Sequence, residues 1–278
     1  MNIDFNACAN FKGNNQSPLF LAEGNGRFRP SLRKIAAHCI QQGLNAVVLR
    51  SHSHQTGTDD RWKNYVEEIE GDRSFTYLGN GIIAFDNFYN PTKIPFYLIH
   101  GQGLATSAGD IEVLFTDRRI GGRGQNYEID FNRLMDMIRT PDPSRDESQN
   151  PPMVIALQPH QWILGGSIDI ESLERVDAFE VYSGLTGKKA NNLAQKISIL
   201  YNKPGVISSN SKILRDMGSS YTTLPIKIQD TMNSHEIARA IKSGVTNLVP
   251  DGKRSNSTLS KLVQIAAIAE VKLTGNKD

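Results

Sequence analysis

Two histidines one residue apart, His52 and His54, are the densest metal-ligand signal in the sequence. On a β-strand such a pair shares one face, so both imidazoles could approach a single ion from the same side. Cys8 or Asp110 would then complete a mononuclear site of the kind that lowers the pKa of a bound water. Six histidines in 278 residues make one such pair unremarkable on spacing alone. His100 and His160 could line the same rim, but both read more simply as solvated loop positions. A second cluster, Arg118, Arg119 and Arg123 among the glycines of GGRG with Tyr127 nearby, has the charge and freedom to meet phosphates of nucleic acid or an acidic partner. Its plainer reading is a solvated basic loop. The glycine pairs Gly24–Gly26 and Gly79–Gly81 lack the rest of a dinucleotide fingerprint and read as turns. There is no Ser-His-Asp signature, and neither Cys8 nor Cys39 sits in a nucleophile motif.

The elements that must position these residues alternate between short apolar runs and longer helical patterns. Ile3–Cys8, Ala46–Leu49, Gly81–Phe85, Phe96–Ile99, Ile111–Phe115, Val154–Leu157, Ala178–Tyr182, Val206–Ser208 and Asn247–Val249 are predicted strands, several too apolar to have a wet face. Strands buried on both faces are what parallel sheets need. Helices are predicted at Pro30–Gln42, stopped by Gly43, at Ala190–Tyr201 with Leu193, Ile197 and Leu200 on one stripe, and at Glu236–Lys242 between a Ser234 cap and Gly244. A short helix is expected at Phe131–Arg139 and a last one at about 258–271. The alternation is that of an α/β fold with a parallel sheet, open or closed into a barrel. Ser53–Ser74 is polar, and a longer polar insertion runs over 117–152, ending in a proline-rich charged stretch. Residues 1–278 are expected to form a single domain.

Composition bounds the function. A formal net charge of +2 argues against a strongly basic nucleic-acid binder, though a local patch remains open. Two cysteines give no disulfide framework and suit a reducing compartment. No stretch approaches the roughly 20 apolar residues needed to span a bilayer. The opening MNIDFNACANF has no basic region ahead of an apolar run, so no membrane association and a cytoplasmic location are expected.

Taken in order, seven fragments covering about residues 1–249 resemble the PHP (polymerase and histidinol phosphatase) family. Asp4-Phe5-Asn6-Ala7-Cys8 stands where that family has Asp-x-His-x-His, and Arg50-Ser51-His52, after a helix stop and a buried strand, where it has Thr-Asp-His. His100-Gly101-Gln102-Gly103 followed by Asp110 resembles its Pro-Gly-x-Glu element and the histidine on the next strand. Gln158-Pro159 replaces His-Pro, and Val176–Gly184 resembles the Asp-x-x-Glu-Val-Tyr-Asn strand. Ser208–Lys212 replaces Gly-Ser-Asp-Ala-His, and the MGSSYTTL and SHEIARAIKSG segments match late elements.

The resemblance implies a PHP-type distorted β/α barrel, TIM-like and built on parallel strands. It also implies a mouth at the C-terminal ends of the strands, where family members hold up to three divalent metals and hydrolyse phosphate esters. The matching positions here are Asn6, Cys8, Ser51, His52, Gly103, Asp110, Gln158, Asn210 and Lys212. Only His52 is kept. Neutral amides are poor zinc ligands, and a lysine brings positive charge where a cation would sit. The former metal pocket (Asn6, Cys8, Ser51, His52, Asp110, Gln158, Asn210, Lys212) either consists of residues that simply satisfy one another and water, or persists as a polar, anion-accepting cavity with the Lys212 ammonium in place of the lost metal charge and Glu180 as its partner. Arg50, next to Ser51 on a strand, is expected to point away from it and so to lie outside the pocket.

These readings imply a non-catalytic PHP-like protein, a scaffold or partner-binding subunit, with DNA or nucleic-acid metabolism as a setting for it. The expected partner is a protein, and no cofactor is expected. The alternatives are a phosphoesterase with one divalent metal on His52, His54, Asp110 and Cys8, or a module holding a phosphorylated ligand or nucleic acid through Lys212 or the Arg118, Arg119 and Arg123 loop.

Overall fold

A computed structural model of the chain describes residues 1–7, 31–52, 65–67, 69–86, 95–118, 120, 129–140, 152–157, 170–184, 186–211, 214–226, 234–244 and 247–249. The expected helix at 258–271 and residues 141–151 of the insertion lie outside them.

Along the chain run β1 (Asn2–Ala7), α1 (Leu32–Gln41), β2 (Ala46–His52), β3 (Phe75–Gly79), β4 (Ile82–Phe85), β5 (Phe96–Ala105), β6 (Asp110–Leu114), α2 (Phe131–Arg139), β7 (Met153–Ala156) and α3 (Ile170–Glu174). Then follow β8 (Ala178–Ser183), α4 (Lys188–Leu200), β9 (Gly205–Ser208), β10 (Tyr221–Thr223), α5 (Ser234–Lys242) and β11 (Asn247–Val249). The helices begin where side chains can cap them. Ser31 Oγ accepts from the Lys34 amide at the start of α1, and the Asp130 carboxylate accepts from the Arg133 amide at the start of α2. Gly43, at φ +78°, supplies the left-handed turn that ends α1.

The eleven described strands belong to one sheet, with the path β11-β10-β1-β2-β5-β6-β7-β8-β9. β1, β2 and β5 are parallel neighbours, as are β7, β8 and β9. Between those groups β6 runs antiparallel to both β5 and β7. On the same edge of the long β5 the hairpin strand β4 pairs with residues 96–99, immediately before the stretch that pairs with β6. The sheet is therefore mixed, where parallel strands alone are expected. The reason is connection length: β5 and β6 are joined by only four residues, too few for a parallel crossover.

The sheet curls until β9 lies beside β1 and β10, giving a nearly closed barrel. Side chains stitch the seam. The Ile207 amide donates to Thr222 Oγ1 (2.8 Å), and the Ser209 amide and hydroxyl donate to the two Asp4 carboxylate oxygens (2.8 and 2.6 Å). The Gly218 amide adds a third bond to Asp4 (2.8 Å).

Three apolar clusters follow from strand alternation. Ile3, Phe5, Ala46, Val48, Tyr97, Ile99, Leu114, Ile155, Ala178 and Val206 fill the barrel interior, closed at one end by Ile237 and Ile241 of α5 with Met1 and Leu224. Leu32, Ile35, Ala36 and Cys39 of α1 cover the outer faces of β2, β4 and β5. Phe131, Leu134, Met135 and Ile138 of α2, with Leu173 of α3 and Ile197 of α4, cover β6, β7 and β8. The buried side of α4 includes Asn191, Ala194 and Ile197; Leu200, expected on that stripe, is 75% exposed.

Candidate functional site

Because α5 packs at the end where β1 begins, the open end of the barrel is the one where the parallel strands finish. The inward faces change character on the way there. On β2 the inner positions run Ala46, Val48, Arg50; on β5 they run Tyr97, Ile99, Gly101, Gly103. On the antiparallel β6 they run Leu114 and then Glu112, on β8 Ala178 and then Glu180, and on β9 Val206 and then Ser208. An apolar floor thus gives way, at one level, to a polar layer of an arginine, two glutamates, a serine and two glycines.

The glycines are there because the flanking side chains need their space. A Cβ on Gly103 would collide with the Arg50 guanidinium coming from β2, and one on Gly101 would collide with the Glu112 carboxyl coming from β6 and lie 2.8 Å from Val48 Cγ1. Arg50 and Glu112 therefore lie from opposite sides across the same strand. Arg50 is 7% exposed, and its guanidinium reaches 3.9 Å from the carboxylate of Asp110, whose side chain is 58% exposed on the rim. Glu112 is fully buried, and among the described residues no hydrogen-bond donor reaches either of its carboxyl oxygens. Burial pushes its pKa up to about 8; the nearby Arg50 charge pulls the other way, and Glu180 and Asp4 push further upward. Glu180, also buried, accepts a hydrogen bond from the Ser208 hydroxyl. Beyond the strand end Asn210 adopts a left-handed backbone (φ 47°) and its amide donates to Ser183 Oγ (3.1 Å).

Asp4 sits outside this layer, between β1 and the turn at Gly218. Burial lifts its carboxyl to about 7 against the pull of its three donors. Its role is to close the seam. The Cys39 thiol, free and buried in the α1 layer, is pushed well above the usual thiol range by the same loss of solvent, which makes it a poor nucleophile.

Of the expected pocket residues, Asp110 lies on the rim and Asn210 at the end of β9. Asn6, Ser51 and His52 lie on strands β1 and β2, with Ser51 and His52 paired to Gln102 and Gly103; their side chains lie outside what is described. Cys8, His54, Gln158 and Lys212, with His160, Arg119 and Arg123, lie outside the described residues altogether.

Two expectations are corrected. Arg50 shares the inner face with Ala46 and Val48 and so belongs to the polar layer. His100, read as a loop or rim position, is buried within β5. Arg118, offered as part of a basic loop that is solvated or meets phosphates, donates to the carbonyls of Met137, Ile138 and Thr140 at the C-terminus of α2 (3.0–3.2 Å). Glu112 escaped the sequence reading entirely. Its signal was an acid in the run IEVLF, facing glycines that alternate in HGQG.

Among the described residues no three His, Cys, Asp or Glu side chains converge as metal ligands. The carboxyls that do face the mouth share it with a guanidinium, so the described part of the site does not fit a divalent metal. Among the described residues no helix is long and apolar enough to cross a membrane.

No family model and no curated protein matches the sequence. Solved structures do match the fold. PsfC from Pseudomonas syringae PB-5123 superposes with a TM-score of 0.59 at 13% identity, over 98% of both chains. A two-domain protein from Bacteroides vulgatus, containing a predicted PHP-like metal-dependent phosphoesterase, superposes with a TM-score of 0.50 at 12% identity, over 90% of this chain and 65% of that one. With the strand path and the polar mouth, these likenesses identify the fold of the chain as a PHP-type barrel.

Proposed function

We propose that this protein is a non-hydrolytic PHP-type barrel that acts in the cytoplasm as a scaffold or partner-binding subunit, with the polar mouth as its recognition end. The observation that carries this reading is Arg50. Metal-assisted phosphoester hydrolysis needs ions at the ends of the strands to activate water and neutralise phosphoryl oxygens. A buried guanidinium standing on the inner wall, 3.9 Å from the Asp110 carboxylate at the rim, puts a fixed positive charge in that space. Charge repulsion between it and a divalent ion is weakly screened in a cleft. A guanidinium is also no base at neutral pH and activates no water.

The test is hydrolysis of p-nitrophenyl phosphate and bis-p-nitrophenyl phosphate by the purified protein, with manganese, zinc or magnesium added in turn. The expected result is no turnover above the buffer rate with any of them. Metal-stimulated turnover that vanishes in Asp110→Asn would overturn the reading in favour of a reduced metal site on His52, His54, Asp110 and Cys8.

A further inference from the structure

We propose that the outward face of α4 is a docking surface for an acidic partner protein, which buries Ile199 and Leu200 as an apolar anchor while its carboxylates meet the exposed lysines beside them. The surface lies on the outside of the barrel, apart from the mouth, and goes beyond the reading above by giving the partner a second place of contact.

Hydrogen bonds fix the rotation of α4 about its axis, and it is not the rotation that hydropathy alone would choose. The buried side includes two polar residues, Asn191 and Ser198. Asn191 Oδ1 accepts from the Ser183 amide (3.2 Å), and its Nδ2 donates to the carbonyls of Ser183 (3.2 Å) and Thr186 (3.3 Å). The Ser198 hydroxyl donates to the Lys203 carbonyl (2.6 Å). With those residues turned inward, helical spacing turns Ile199 and Leu200 outward, each 75% exposed. The other large apolar side chains exposed among the described residues, Tyr77, Leu78 and Met137, are 39–45% exposed. An adjacent aliphatic pair this bare, on a helix that buries polar groups instead, gains most from a partner that covers it.

Charge says which partner. Residues 188–203 hold four lysines and no acid. Lys203 is committed to the carbonyls of Glu174 and Val176 (2.7 and 2.8 Å). Lys188, Lys189 and Lys196 are exposed, and none of the ion pairs among the described residues involves them. At about 100° per residue they share one side of the helix with Ile199 and Leu200, and Lys196 is one turn from both. Two of the three stand in the first turn, where the helix dipole disfavours a cation and no acid offsets it. A face of one sign with an aliphatic end fits a protein that presents carboxylates round an apolar cleft. A second copy of this face across a two-fold axis would set lysine against lysine. Nucleic acid would answer the lysines and leave the aliphatic pair wet.

The probe is a labelled synthetic helical peptide of glutamates with leucines at i, i+3, i+4 and i+7, titrated with the full chain and followed by fluorescence anisotropy. Control peptides replace the leucines with serine or the glutamates with lysine. The wild type is expected to bind the acidic leucine peptide saturably and neither control. Ile199→Ser/Leu200→Ser and Lys188→Glu/Lys189→Glu/Lys196→Glu should each weaken binding by roughly tenfold or more, with the salt dependence kept in the first and lost in the second. The serine variant should melt within about 2 °C of the wild type, because solvent already covers the pair. No saturable binding, or binding that either variant leaves unchanged, would overturn the proposal. So would a fall of many degrees in the serine variant, since the chain itself would then cover the pair. Tighter binding of a DNA oligonucleotide or of phosphatidylserine vesicles, lost in the lysine variant, would assign the face to another class of partner and overturn it too. Phosphoester turnover by the wild type would sink the non-hydrolytic reading and leave this surface standing. Failure of the peptide to bind, with no turnover, would do the reverse.

Discussion

Arg50 crosses β5 at Gly103, whose missing Cβ is what lets the guanidinium lie against the strand. Gly103→Ala is therefore an overpacking change in a closed space, with an expected cost of about 1–3 kcal/mol. The cost should fall when Arg50 is shortened to alanine, because the collision is with the side chain. A double-mutant cycle by urea denaturation measures the coupling between the two positions. A coupling near zero would mean that Gly103 serves only its own backbone.

Glu112 predicts a pH effect of defined sign. Its folded-state pKa, about 8, lies above the ordinary carboxyl value of 4.5. The folded state therefore holds this proton more tightly than the unfolded chain. The stabilisation is complete below pH 4.5 and is lost as pH rises through about 8. Glu112→Gln removes the titration and keeps the shape. Between pH 6 and 8 the wild type should lose roughly 2–3 kcal/mol that the variant does not lose. Parallel stability curves for the two proteins across that range would refute it.

Asp4 joins the first strand to the last part of the barrel, accepting from both donors of Ser209 and from the Gly218 amide. Asp4→Ala strands three buried donors at once. Since each orphaned group costs about 1–3 kcal/mol and the three are not additive, a loss of about 3–5 kcal/mol is expected in chemical denaturation. Asp4→Asn should recover only part, because an amide offers one acceptor and turns a donor toward groups that are themselves donors.

The barrel wall was legible in the sequence because its strands are short apolar runs with caps and turns between them. Direction was not. Hydrophobic periodicity is the same whether a strand is parallel or antiparallel, so β6 inverts without trace in IEVLF. β10 is three residues long and β3 is largely exposed, so neither carries a period to read. The polar layer was half legible. Alternation groups Arg50 with Ala46 and Val48, but it does not say which set faces inward. That choice is made by Ala46 and Val48, which fill the interior on the same face as Arg50. Glu112 was hidden for a related reason: an acid in an apolar run becomes meaningful only beside the glycines of β5, where register sets it opposite Gly103 and its carboxyl reaches over Gly101.

Arg118 separates a structural arginine from a binding one. Its guanidinium holds the carbonyls of Met137, Ile138 and Thr140, the unsatisfied end of α2, where a cation also meets the negative end of the helix dipole. Its backbone carbonyl in turn accepts from the Gln102 amide (2.8 Å), and Gln102 Oε1 accepts from the Ile120 amide (2.9 Å), so the turn after β6 is tied to β5. Arg118→Ala should lower stability by about 1–2 kcal/mol, an effect expected to be local to α2. Hydrogen exchange should accordingly quicken in residues 131–139 more than in the strands. Retention of the protein on heparin should be the same for Arg118→Ala as for the wild type, since a guanidinium committed to three carbonyls has little left for phosphate. A large loss of heparin retention with unchanged exchange in α2 would return Arg118 to the basic loop.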